Sequence, residues 1–152
     1  MSADAGVLAG RLVLAFVLAA GQSAAFAVDP GELLEPEKAF RISARPLDAR
    51  SVEVEFRIAD GYYMYRDRFA FATESGRPLA KVEIPRGKLK DDPFFGKVET
   101  FRGSVRIRLR LPPEEADKGR VRLKVTSQGC ADVGVCYAPL EQSVSLALPG
   151  GR

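Results

Sequence analysis

The chain has 152 residues, 28% of them charged, with a formal net charge of +3, two cysteines and no histidine. Without histidine there is no Ser-His-Asp or Cys-His catalysis, no imidazole acid–base chemistry, and none of the commonest zinc ligand sets. A composition that is 46% hydrophobic, with no low-complexity tract or internal repeat, describes one ordinary globular domain, and so mild an excess of base says little about partners.

At the N-terminus, Arg11 precedes the apolar run LVLAFVLAA (Leu12 to Ala20), and GQSAAFA then ends in Ala25-Phe26-Ala27. A basic residue, a short apolar core and an A-x-A site predict a secretory signal peptide over residues 1–27, cleaved after Ala27. The run is too short for a permanent anchor, and no cysteine near the cleavage site could carry a lipid. The expected product is residues 28–152, soluble and exported as one domain with no permanent membrane span.

Beyond a helical turn at Pro36 to Ala39, period-two alternation dominates. A strand is expected at Phe40 to Ala44. SVEVEFRIA then sets Val52, Val54, Phe56 and Ile58 on one face against Glu53, Glu55 and Arg57 on the other. Weaker strands are expected at Tyr62 to Tyr65, Arg68 to Ala72, Lys81 to Ile84 and Val98 to Phe101. SVRIRLRL alternates again, with Val105, Ile107, Leu109 and Leu111 inward. A second helical turn at Pro113 to Asp117 is followed by RVRLKVTS, which buries Val121, Leu123 and Val125, and SVSLAL, which buries Val144, Leu146 and Leu148. Turn chemistry separates the strands at Asp60-Gly61, ESGRP, PRGKLKDDP and PPEEADKG. The expected fold is all-β, an immunoglobulin-like antiparallel β-sandwich of two sheets.

Arg106, Arg108, Arg110, Arg122 and Lys124 all fall on the outward face of two strands expected to be adjacent, a basic stripe. A nucleic-acid groove would interleave aromatics among them, and none is there. The reading is a solvated face, partly matched by Glu53 and Glu55, with no nucleic-acid partner.

The two cysteines lie in QGCADVGVCY (residues 128 to 137). Two cysteines without histidine make a poor metal site, so no metal or cofactor is expected, and export leaves them disulfide chemistry. The ring closed by Cys130 and Cys136 is short, with only about 2 kcal/mol of loop-entropy stabilisation. Gly129 and Gly134 let the backbone turn sharply around it. Spacing alone favours an inert staple over a redox couple, because C-x5-C is far less specific than C-x-x-C.

QGCADVGVCY, DGYYMYRDRF (Asp60 to Phe69) and DDPFFGK (Asp91 to Lys97) together resemble the N-terminal periplasmic domain of the DsbD family of thiol–disulfide interchange proteins. The resemblance runs in order from about Glu37 to Leu148. It implies an immunoglobulin-like domain whose Cys130 and Cys136 cycle between dithiol and disulfide as part of a protein-disulfide reductase. Electrons would arrive from a thioredoxin-like domain or membrane electron conduit. They would leave to a periplasmic disulfide isomerase or other thioredoxin-fold proteins, including those of cytochrome c biogenesis. Cys136 corresponds to the sulfur that forms mixed disulfides, Phe94 to the aromatic of a cap loop over the cysteines, and Tyr63 and Tyr65 to aromatics lining the site. Phe95 beside the cap and Tyr137 beside Cys136 complete the aromatic surroundings.

Two departures accompany the resemblance. Pro93 stands where the family can carry an acid and Phe95 where it carries a tyrosine, leaving Asp92 and Asp132 as the nearby carboxylates. Family members continue into a membrane segment and a thioredoxin-like domain, so a chain ending at Arg152 is expected to take electrons from another polypeptide. The rival readings are an immunoglobulin-like binding module of the cell envelope with an inert disulfide, and a copper-handling accessory. Against the last, the chain has only Met1 and Met64 as thioether ligands.

Overall fold

The computed structural model of the chain describes residues 33–150; the expected signal peptide and its Ala27 cleavage site lie outside them. Two single-turn helices, α1 (Pro36–Ala39) and α2 (Pro113–Ala116), each begin with proline, whose fixed φ suits the first helical turn. The strands are β1 (Phe40–Pro46), β2 (Ser51–Ile58), β3 (Tyr62–Tyr65), β4 (Ala70–Thr73), β5 (Lys81–Glu83) and β6 (Lys88–Asp92). They continue as β7 (Gly96–Phe101), β8 (Ser104–Arg110), β9 (Arg120–Ser127), β10 (Gly129–Ala131), β11 (Val135–Cys136) and β12 (Leu140–Ala147). They form three antiparallel sheets with strand orders β1-β2-β8-β5, β12-β9-β4 and β11-β10-β3-β7-β6.

The alternating segments supply the core as expected. Val52, Val54 and Phe56 of β2 and Val105, Ile107 and Leu109 of β8 share one buried cluster with Val121, Leu123 and Val125 of β9. Burying each such side chain contributes about 1.5–3 kcal/mol. The sandwich therefore has far more to hold it than a short disulfide ring supplies. The third sheet, whose strands are interspersed in sequence among those of the other two, holds both cysteines.

Among the described residues the sheets number three rather than the two expected, and four further expectations are corrected. The segment read as a turn, PRGKLKDDP, contains β6, which pairs with β7 from Lys88↔Thr100 to Asp92↔Gly96. This strand is made by its hydrogen bonds rather than by burial, since Leu89 stays exposed, and so it has no alternation to read. Val144 and Leu146 are only half-buried, because β12 is an edge strand of its sheet. The basic stripe is not continuous either: β8 pairs with β2 and β5, while β9 pairs with β4 and β12, which puts Arg122 and Lys124 on a different sheet from Arg106, Arg108 and Arg110. On the first sheet Glu53 is not solvated but sunk among arginines, with a side chain 6% exposed.

Candidate active site: a disulfide between neighbouring strands

Cys130 on β10 and Cys136 on β11 are register partners in a tight antiparallel hairpin, and they are joined as a disulfide with a Cα–Cα distance of 4.0 Å. The hairpin closes at Gly134, whose φ of +90° falls in the region that side-chain-bearing residues rarely adopt. Gly129 is needed for a different reason. A Cβ there would lie 2.4 Å from the Tyr63 carbonyl oxygen and 2.5 Å from the Phe40 ring, so only glycine lets β10 approach β3 this closely. The pairing Cys130↔Tyr63 follows from that approach. Cys130 is fully buried, whereas Cys136 is half-buried.

Beneath the sulfurs lies a polar relay. The Tyr65 hydroxyl is 3.0 Å from Cys130 Sγ and 3.7 Å from Cys136 Sγ. It also lies 2.9 Å from Asp92 Oδ2, which accepts a second hydrogen bond of 2.9 Å from the Tyr63 hydroxyl. Disulfide sulfurs have no proton, so the single Tyr65 hydroxyl proton goes to the carboxylate, the stronger acceptor. Both tyrosines are held above the usual phenol range, first by burial; their mutual contact then lowers Tyr63 and raises Tyr65, and the Asp92 carboxylate raises both. Burial pushes Asp92 up, but hydrogen bonds from the Phe94 amide, Tyr65, Tyr63 and the Phe95 amide outweigh it and hold the carboxyl below its usual value.

Asp92 also builds the loop above. Its Oδ1 accepts the Phe94 and Phe95 amide hydrogens at 2.9 and 3.2 Å, an Asx turn that Gly96 completes at a φ of +70°. One carboxylate thus shapes the β6–β7 loop with one oxygen and orients both tyrosines with the other. Of the two loop aromatics, Phe95 packs edge-on to Tyr65 with ring centroids 5.1 Å apart, under the Arg68 guanidinium at 4.4 Å. Phe94, at the tip, is 58% exposed against 39% for Phe95.

The remaining expected residues sit around this centre with other tasks. Asp132 binds Arg102 with both oxygens at 2.6 and 3.0 Å, which holds its carboxyl below the usual range and Arg102 above its own. Arg102 in turn lies 5.2 Å from the Tyr63 ring centroid, and Lys90 lies 4.8 Å from it. Tyr137 turns toward the core: it packs against Phe40 and Tyr62, and its hydroxyl donates to the Leu34 carbonyl at 2.6 Å. Burial and the neighbouring Tyr62 push it up to about 12. It anchors the strand that carries Cys136. Sequence reasoning missed Arg68, Lys90 and Arg102, isolated bases in strands and turns whose relation to the tyrosines exists only in three dimensions. It also missed Val98, packed against the Tyr63–Tyr65–Cys130 cluster and indistinguishable in sequence from any core valine.

Fold and site together define a class: immunoglobulin-like β-sandwich domains with a disulfide between neighbouring strands, one sulfur sealed over a tyrosine–carboxylate group and the other half-exposed. Residues 31–148 match the family model described as thiol:disulfide interchange protein DsbD, N-terminal, and the chain belongs to that family. It is 47% identical to the DsbD of Ralstonia nicotianae over 112 residues, covering 72% of this chain and 18% of that protein. It is 35% identical to a Neisseria meningitidis DsbD over 136 residues, covering 90% and 22%. The chain therefore spans about a fifth of the length of these curated relatives. Among solved structures, the N. meningitidis DsbD N-terminal domain in its reduced form matches with a TM-score of 0.69 and 33% identity, over 79% of this chain and 94% of that one. A structure of the complex between the N. meningitidis DsbD and PilB N-terminal domains matches with a TM-score of 0.62 at 33% identity, over 75% and 87%.

Proposed function

We propose that this chain is a periplasmic thiol–disulfide exchange domain that carries reducing equivalents from one protein to another through Cys130 and Cys136. The observation that carries the reading is the asymmetry of the pair: Cys136 is half-exposed, and Cys130 is buried 3.0 Å from a hydroxyl bonded to a carboxylate. Membership of the DsbD family supports it. So does the reduced-form structure of the meningococcal relative, whose fold resembles the disulfide form seen here.

Mechanism follows from thiol exchange through a mixed disulfide. A donor thiolate attacks Cys136 Sγ, the Cys130–Cys136 bond breaks, and Cys130 leaves with the electron pair and takes up a proton. The donor's second thiol then attacks its own sulfur in the mixed disulfide and releases Cys136. In the forward half, the Cys136 thiolate attacks an acceptor disulfide. Cys130 loses its proton, attacks Cys136 Sγ and frees the acceptor as a dithiol. Tyr65 assists at Cys130: its phenolic oxygen accepts the thiol proton as its own hydroxyl proton passes to Asp92, so the phenol stays neutral and the carboxylate ends protonated. The Phe94–Phe95 loop covers this centre in the free chain and moves aside when a partner docks. Thioredoxin-fold proteins are the partner class, with a membrane electron conduit as the ultimate donor. The complex of the related DsbD domain with the PilB N-terminal domain supports docking by a protein domain.

Trapping tests the assignment. Cys130→Ser leaves Cys136 without its resolving thiol, so incubation with a thioredoxin-fold partner should accumulate a mixed disulfide, while Cys136→Ser should accumulate little. Redox titration of the wild type should give a reversible couple above the roughly −300 mV below which structural disulfides typically fall. A lower potential, or unfolding on reduction, would leave the inert-staple reading standing.

A further inference from the structure

Away from the cysteines, the outward face of the β1-β2-β8-β5 sheet gathers arginine. Arg41, Arg45 and Arg57 come from β1 and β2, Arg106, Arg108 and Arg110 from β8, and Lys81 from β5; cross-strand register sets them in rows. Three acids share the face. Glu53 and Glu55 lie low in it, with side chains 6% and 20% exposed, whereas the Arg45, Arg106 and Arg108 side chains above them are more than 60% exposed. Glu83 pairs with Lys81 at the edge. Solvent therefore meets guanidinium groups with the carboxylates beneath them.

The face carries seven basic and three acidic side chains, an excess of four. Residues 33–150 as a whole carry twenty-one basic and seventeen acidic side chains, the same excess, so the rest of the described surface is neutral. Arg41 stands directly opposite Arg57 in the β1–β2 register. Like charges so placed oppose pairing, which makes the arrangement a burden on the fold that an anionic surface would relieve.

We infer that this face docks on an anionic phospholipid bilayer. Six of the seven bases are arginine, whose fork of donors matches phosphate oxygens in pairs. The sheet presents them over about 15 by 23 Å, taking ordinary strand spacing and rise. A plane of phosphates fits such a plane of guanidinium groups. An acidic protein is the weaker fit, because the outward register positions are arginine, lysine, glutamate and serine, without the apolar or aromatic anchor that protein interfaces centre on. None of the residues around Cys130 and Cys136 belongs to this face, so a docked domain keeps its disulfide end free for partners.

The test is co-sedimentation of the purified chain with vesicles of phosphatidylcholine alone or with 30% phosphatidylglycerol (roughly the range in which basic clusters respond), across a salt series. Binding is expected only to the anionic vesicles, falling steeply with salt. Each basic residue near such a surface contributes about fivefold to partitioning. Arg41→Gln/Arg57→Gln, which removes the opposed like-charge pair and so spares the fold, should then lower it about 25-fold with no fall in the melting midpoint. A control variant, Arg122→Gln/Lys124→Gln, removes the same charge from another sheet and should change partitioning far less. Equal binding to neutral vesicles, equal effects of the two double variants, or tighter binding to soluble polyglutamate than to the anionic vesicles at one salt concentration would each overturn the inference.

Discussion

Tyr63 and Tyr65 provide an internal control for the proton path. Each hydroxyl lies 2.9 Å from Asp92 Oδ2, and only Tyr65 also reaches a cysteine, 3.0 Å from Cys130 Sγ. Tyr65→Phe and Tyr63→Phe therefore remove the same buried bond to the same carboxylate, which keeps its other three donors in either variant. A hydrogen bond to a charged acceptor contributes about 1.5–3 kcal/mol, so the two variants should lose similar stability in chemical denaturation of the oxidised chain. Their chemistry should differ. With Tyr65 gone, the Cys130 thiol has no oxygen to receive its proton, and its attack on a mixed disulfide at Cys136 should slow by about 100-fold, the lower end for positioned proton transfer. The step can be isolated by loading Cys136 with a coloured aromatic thiol and following its release as the internal disulfide forms. Tyr63→Phe should release it at nearly the wild-type rate. Equal slowing in both variants would mean that Asp92 acts through general packing, and no slowing in Tyr65→Phe would remove the hydroxyl from the mechanism.

Three further outcomes are expected. Phe95→Ala should speed alkylation of the reduced thiols by a small reagent more than Phe94→Ala does, because it is the Phe95 ring that packs on Tyr65; a larger effect at Phe94 would restore the tip residue as the cover. Gly129→Ala should destabilise the chain by about 1–3 kcal/mol, the usual scale of overpacking, since the new methyl would lie within 2.4–2.7 Å of Tyr63 backbone and the Phe40 ring; an unchanged denaturation midpoint would show that β10 can withdraw from β3 freely. Asp92 has a folded pKa below the 3.8 of the free group, so its stabilising contribution is complete above that value and is lost as pH falls through the lower folded value. Asp92→Asn should accordingly flatten the stability profile on the acid side of the free value, while the loss shared with other carboxylates remains.

The sandwich was legible because its strands obey one rule: a buried face alternates with a wet one. The apolar positions of Val52 to Ile58, Val105 to Leu111 and Val121 to Val125 are all buried, and of the residues between them only Glu53 is buried too. Where pairing rather than burial makes the strand, alternation says nothing. β6 exposes Leu89, and β10 and β11 together span five residues around the cysteines. The first was read as a turn and the other two were not foreseen. Sheet membership was also invisible: Arg106 and Arg122 show the same period yet point from different sheets, because register is decided by partners distant in sequence. The cysteine motif identified the site through resemblance, since spacing alone pointed to an inert staple.

The position of Asp92 explains why its place in the structure could not be read from the sequence. In sequence it is one of two adjacent acids before a proline, as expected of any turn. In the structure its two oxygens serve two elements, Oδ1 the amides of the cap loop and Oδ2 the tyrosines beneath the sulfurs. A movement of the loop that broke the Phe94 and Phe95 amide bonds would remove two of the interactions that keep the carboxyl ionised. The buried carboxylate would then become a better proton acceptor at the moment a partner reaches Cys136, passing the Cys130 proton on through Tyr65. In the proposed mechanism, opening of the cap and readiness of the thiol would thereby be linked through one side chain. Asp92→Asn, which keeps an oxygen for the loop but cannot take a proton, should separate the two. Thiol alkylation in the free chain should stay slow because the cap is retained, while release of the coloured thiol from Cys136 should slow as in Tyr65→Phe. If Asp92→Asn instead exposes the thiols and leaves that release unchanged, Asp92 is a loop-forming residue alone.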